Sequence, residues 1–259
     1  MKFISAIILI ASIAIPFNAK AEDVKYTFTT DEWCPYSCDP ESSNPGISIE
    51  IIKEIFGNKN TSFRAVNWAR AIKEVRSGEG HAIVDAYISD APDFIFHKTP
   101  IIQSKMCMFV KSTDSWQYTN HESLKNRKIL VINGYSYGEQ FDKYIIENNK
   151  QGNSNIRVLA GITGEELTKR KLKMIKRERA DSILEDHLVF LKEIKDYEEK
   201  NNVKTSFKNA GCFDPVDLFI AFTPANKTVS EKLAQKMDEG IEAMKKSGKL
   251  DSIISKYTK

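Results

Sequence analysis

Between residues 25 and 88 the hydrophobic period of the chain switches four times. "KYTFTT" (25–30) alternates as a strand does, and "GISIEIIKEIFG" (46–57) then places Ile47, Ile51, Ile52 and Ile55 at helical spacing, with Gly57 as its stop. "SFRAV" (62–66) reads as a strand. "NWARAIKEVRSG" (67–78) reads as a helix with Asn67 as N-cap and Gly78 past its end, and "HAIVDAYI" (81–88) as a third strand. Strand, helix, strand, helix, strand predicts an α/β unit with a largely parallel sheet covered by helices.

The pattern repeats further on. "CMFVKS" (107–112), "KILVING" (128–134), "IRVLAG" (156–161) and "ADSILED" (180–186) read as strands, with helices after the second and third and a polar loop over 116–123. A strand at "DLFIAFTP" (217–224) and two amphipathic helices (230–247 and 250–257) close the chain. Two sheets of similar construction, with no evident flexible linker, predict two lobes and a cleft. Such clefts, beyond the carboxyl ends of parallel strands, receive small ligands.

Residues 1–21 have the pattern of a secretory signal peptide: Lys2, an apolar stretch from Phe3 to Phe17, and a small-x-small close at Ala19–Ala21. No cysteine stands at the expected cut, and no later apolar run approaches the ~18 residues of a membrane-spanning helix. Loss of Lys2 and Lys20 takes the formal charge from +3 to +1. Near-neutral charge argues against nucleic acid, which calls for a surplus of Lys and Arg. The local exception, "TKRKLKMIKRER" (168–179), is read as an amphipathic helix whose solvated face is basic.

"DEWCPYSCDP" (31–40) raises three possibilities: redox site, metal site or pocket wall. Cysteines in an exported chain favour disulfides, and neither Cys34 nor Cys38 has a nearby histidine or a C-x-x-C spacing, so no metal is expected. Four cysteines allow three pairings, which sequence alone does not separate. Cys34 with Cys38 and Cys107 with Cys212 is the preferred set, because Pro35, Ser37, Asp39 and Pro40 suit the turn that the first pair needs.

Taken in order, "DEWCPY", "PGISIEIIKEIF", "NWARAIKEVRSGEGHAIVDAYIS", "TPIIQSKMCMFVKS", "SLKNRKILVINGYSYGE", "RADSILED", "DLFIAFTP" and "KLDSIISKY" resemble the extracellular solute-binding proteins of the polar-amino-acid type, which serve ATP-driven importers. The likeness implies a two-lobed periplasmic-binding fold with two hinge strands: residues 22–103 and 216–259 in lobe one and 104–215 in lobe two. The crossings fall near Ile101–Lys105 and Asp214–Asp217, so Cys107 and Cys212 lie just beyond them, where a bridge could tie the base of lobe two. The resemblance also implies a monomer exported to the periplasm, a small polar solute as ligand, a membrane ABC permease as transient partner, and no cofactor.

By the same resemblance, Trp33 and Tyr36 fall where an aromatic residue covers the ligand, and Trp68 matches a second ligand-facing aromatic. The arginine that forks onto an amino-acid carboxylate is missing: Ala91 or Pro92 stands in its place, with Arg70 the nearest substitute cation and Tyr87 and Ser89 as strand-end hydroxyls. In lobe two, Gly134, Tyr135 and Ser136 precede a helix whose free N–H groups could receive an anion. Asp186 matches the position that holds a ligand ammonium group. The retained acid and the lost arginine lean toward a positively charged ligand. An exported enzyme of the same fold, dehydratase-like, with Asp85, Glu185 and Asp186 as acid-base groups, is the chief alternative, and a sensing protein without a transporter is another. His81, His97, His121 and His187 are scattered and form no catalytic constellation.

Overall fold

A computed structural model describes residues 25–149, 155–160, 162 and 164–258. The leader expected over residues 1–21 lies outside them.

In the first sheet β1 (Tyr26–Thr30) runs parallel to β2 (Thr61–Ala65) on one side and β3 (Ala82–Ala86) on the other. Helices α1 (Ile47–Phe56) and α2 (Trp68–Arg76) make the two crossovers. The helical spacing of α1 buries Ile47, Ile51, Ile52 and Phe56, and Gly57 ends it at φ 86° with its N–H on the Lys53 carbonyl. At the start of α2 the Asn67 side chain accepts the Arg70 N–H at 3.1 Å, which satisfies a helix-end donor as the sequence predicts.

Two short strands, β4 (Ile95–Phe96) and β5 (Ile102–Ser104), lead out of this sheet toward β6 (Met106–Lys111) in the second. There β7 (Ile129–Ile132) is parallel to β8 (Ile156–Leu159) and to β9 (Ser182–Asp186), with α3 (Glu139–Asn149) and α4 (Gly164–Lys176) between them in sequence. Helix α5 (His187–Asn201) leads to β10 (Phe207–Cys212), and the sheet order is β10-β6-β9-β7-β8. The chain then returns through β11 (Val216–Phe222) to the first sheet and ends in α6 (Lys227–Ser247) and α7 (Lys249–Thr258).

Each sheet joins a parallel trio to antiparallel strands, because the segments that carry the chain between sheets pair in the opposite sense. β11 is antiparallel to β3, β4 and β5, and β6 is antiparallel to β9 and β10. The two crossings meet as neighbours, with Ser104 opposite Val216, Gln103 opposite Asp217 and Ile102 opposite Leu218. A paired ribbon of this kind can bend while keeping the lobes in register.

Both disulfides form as preferred, Cys34–Cys38 and Cys107–Cys212, the second joining directly opposed residues of β6 and β10. One part of the basic stretch needs correction. α4 is helical, but Lys171 is 1% exposed instead of facing water, because the buried Glu185 and the half-buried Glu193 claim its ammonium.

Candidate ligand site

The loop after β1 is shaped by its own backbone before any ligand is considered. Trp33 and Ser37 exchange hydrogen bonds, Trp33 N–H to Ser37 O at 2.7 Å and Ser37 N–H to Trp33 O at 3.1 Å, beside the Cys34–Cys38 bridge. Gly46 lies against it at φ 108°, where a Cβ would collide with the Tyr36 carbonyl, so only glycine fits. The result presents the half-buried Trp33 ring to the cleft, with the buried Tyr36 packed against it at 4.7 Å between centroids.

A cavity opens between the lobes at the carboxyl ends of the parallel strands, with an empty volume of about 360 Å³ including space open to solvent. From lobe one it is walled by Thr30, Asp31 and Trp33 after β1, Trp68 at the start of α2, Val84 and Asp85 at the end of β3, and Tyr87 and Asp90 beyond it. Met106, Tyr135 and Ser136 close it from lobe two. Among the described residues, three carboxylates and four aromatic rings line the space, and no lysine, arginine or histidine does.

Burial without a counter-ion governs these carboxylates. It pushes Asp31 and Asp85 up to about 6 and Asp90 up to about 7, against hydrogen bonds that pull the other way. Asp31 accepts the Glu32 N–H at 2.8 Å and the Tyr135 hydroxyl at 2.9 Å. Asp90 accepts the Tyr87 N–H at 2.8 Å. Asp85 accepts from the hydroxyls of Ser37 and Ser48, and its backbone is left-handed at φ 63°, a conformation costly for a residue with a Cβ.

Side-chain hydrogen bonds cross the cleft from Tyr135 to Asp31, from Trp33 Nε1 to Glu185 at 3.2 Å, from Tyr36 to Asp186 at 3.2 Å, and between Ser89 and Ser136 at 3.1 Å. Gly134 approaches lobe one so closely that a Cβ there would stand 3.2 Å from that of Ala69.

Of the residues singled out from sequence, Trp33, Trp68, Tyr87, Tyr135 and Ser136 come together around this cavity. Tyr36 supports Trp33 from below, and Ser89 is exposed but touches Ser136 across the cleft. Arg70 does not join them; it points outward and pairs with Glu74 at 2.5 Å. Ala91, where a carboxylate-binding arginine would stand, is buried against Trp68 and Phe94. Ahead of α3, Asp142 accepts the Ser136 hydroxyl at 2.5 Å and the Tyr137 N–H at 2.8 Å. Asp186 is 0% exposed and lies outside the cavity wall, its oxygens filled by Ser104, the Lys105 N–H, Tyr36 and the N–H groups of Leu188 and Val189. Thr30, Asp31, Val84, Asp90 and Met106 line the cavity without having been singled out from sequence. Asp31 carries a readable signal in its place one step past a strand end.

A family model for bacterial extracellular solute-binding proteins, family 3, matches residues 27–259. The chain belongs to this family. Among solved structures, this solute-binding protein shares its fold with an ancestral arginine-binding protein bound to arginine, at 19% identity, TM-score 0.67 and coverage of 91% of this chain and 98% of that one. A histidine kinase sensor domain with similarity to periplasmic binding proteins aligns at 16% identity, TM-score 0.69 and coverage of 90% and 96%. An amino acid ABC transporter substrate-binding protein from Streptococcus pneumoniae, bound to L-arginine, aligns at 18% identity, TM-score 0.65 and coverage of 90% and 94%. Likeness at this identity speaks to the fold. No curated protein sequence matches the chain.

Proposed function

We propose that this solute-binding protein closes on a small organic cation, an amine that carries no α-carboxylate. The observation that carries the reading is the wall of the cavity: Asp31, Asp85 and Asp90 among Trp33, Trp68, Tyr87 and Tyr135, without a basic side chain among the described residues. A cation there would neutralise buried carboxylates and lie against aromatic faces, which attract it by ~0.5–2 kcal/mol per ring. A carboxylate would meet three like charges and no guanidinium. The arginine complexes of two structural neighbours support the positive half of the ligand; Ala91 opposes the negative half.

In this reading the ligand touches both lobes only when they are shut, so binding draws the population to the closed form, which a membrane ABC permease then recognises. The protein works as a monomer in the periplasm after its leader is cut, and it leaves its solute chemically unchanged. Thermal-shift screening of amines against amino acids tests the proposal, with mass spectrometry of the mixtures. Amines are expected to raise the melting temperature and be recovered intact. A set of hits confined to zwitterionic amino acids, or consumption of a hit, overturns it.

A further inference from the structure

Lys171 is the basic residue of the "TKRKLKMIKRER" stretch that the structure takes out of water, and its surroundings lead to the ligand site. All three of its ammonium protons have carboxylate acceptors: Glu185 Oε2 at 2.5 Å and both oxygens of Glu193 at 2.9 Å. Burial alone would lower the lysine, but the two glutamates outweigh it and keep the ammonium charged. Glu185, near the end of β9, is 1% exposed. Its remaining oxygen, Oε1, accepts the Asp186 N–H at 3.1 Å and, from the other lobe, the indole N–H of Trp33 at 3.2 Å. A chain of polar contacts thus runs from α5 through α4 and β9 and ends on the cavity-wall ring of Trp33.

A buried ion pair is weak grounds for stability, since the cost of removing both charges from water offsets much of their attraction. What this cluster supplies is direction. Lys171 engages Oε2 of Glu185 and leaves Oε1 toward the other lobe, where an indole N–H arrives only when the lobes meet. Neither Glu185 nor Lys171 lines the cavity.

We infer that Glu185, braced by Lys171 and Glu193, is the positioning residue that latches Trp33 across the cleft and so sets both lobe closure and the plane of the ring over the ligand. The inference rests on the receptor reading above, but its test needs no solute, so the two can fail separately. In the Trp68→Phe/Trp116→Phe background Trp33 is the sole tryptophan, since the chain has three. Acrylamide quenching of Trp33 and the radius of gyration from X-ray scattering are then compared for Glu185, Glu185→Leu and Glu185→Gln.

Glu185→Leu leaves Lys171 paired with Glu193, and it is expected to raise the quenching constant by about twofold or more as the lobes part, with a larger radius of gyration. Glu185→Gln keeps an oxygen acceptor and is expected to restore both values toward the parent. A folded Glu185→Leu protein with unchanged quenching and radius overturns the inference. Should Glu185→Leu fail to fold, Trp33→Phe removes the N–H from the other side with Glu185 intact; a larger radius upholds the latch and an unchanged one overturns it.

Discussion

Asp31, Asp85 and Asp90 share a condition that has consequences in solution: each lines the cavity, Asp31 and Asp85 buried and Asp90 half-buried, and desolvation favours its protonated form. Their ordinary value of 3.8 applies to the unfolded chain, while the folded values lie near 6 to 7. Between those limits the folded state binds more protons than the unfolded state, so the contribution of these groups to stability declines as pH rises. Thermal denaturation without solute should therefore show a lower midpoint at about pH 8 than at about pH 5, and Asp90→Asn should flatten the decline. A decline of the same slope in Asp90→Asn would remove that residue from the explanation. A bound cation reverses the sign, because it favours the carboxylates. Amine affinity, read by calorimetry, should weaken roughly tenfold or more from about pH 8 to about pH 5.

At the scale of elements, the end of β9 joins three parts of the molecule through one side chain. Asp186 caps α5 through Leu188 and Val189, holds the exit of β5 through Ser104 and Lys105, and meets Tyr36 of the other lobe. Asp186→Ala would leave those buried donors without an acceptor, at a cost of ~3 kcal/mol or more. Chemical denaturation checks this; a loss below ~1 kcal/mol would show that water replaces the carboxylate. Much of this level is legible in sequence, because α1 and α2 announce themselves by spacing and by Asn67 and Gly57, whose roles are local. Roles set by partners distant in sequence are not. Lys171 sits in a run of charges whose usual place is water, and only the arrival of Glu185 and Glu193 explains its burial. β4 and β5 have two and three residues, too few to show a period. Asp90 lies in a stretch dense with turn residues, so nothing local separates a cavity wall from a loop. Trp33 and Trp68 are singled out by the family resemblance, while Tyr87, Tyr135 and Ser136 stand where a strand ends or a helix is about to begin.

For the molecule as a whole, the two crossings must bend while the lobes stay rigid. The Cys107–Cys212 bond serves the second requirement, since it ties β6 to β10 just inside lobe two and leaves the β5–β11 ribbon free. It closes a loop of sequence separation 105, and replacing both cysteines by serine should cost ~2–4 kcal/mol by denaturant titration with little change in solute affinity. A large loss of affinity in a folded double variant would mean that the bond shapes the site itself. The central claim is that the closed cleft receives a positive charge and has no place for a carboxylate. Isothermal titration of the purified protein with n-butylammonium and with norvaline tests it directly, for the two differ by a single carboxylate on the carbon that bears the nitrogen. Binding of n-butylammonium at least about tenfold tighter than norvaline is predicted. Tighter binding of norvaline would contradict it.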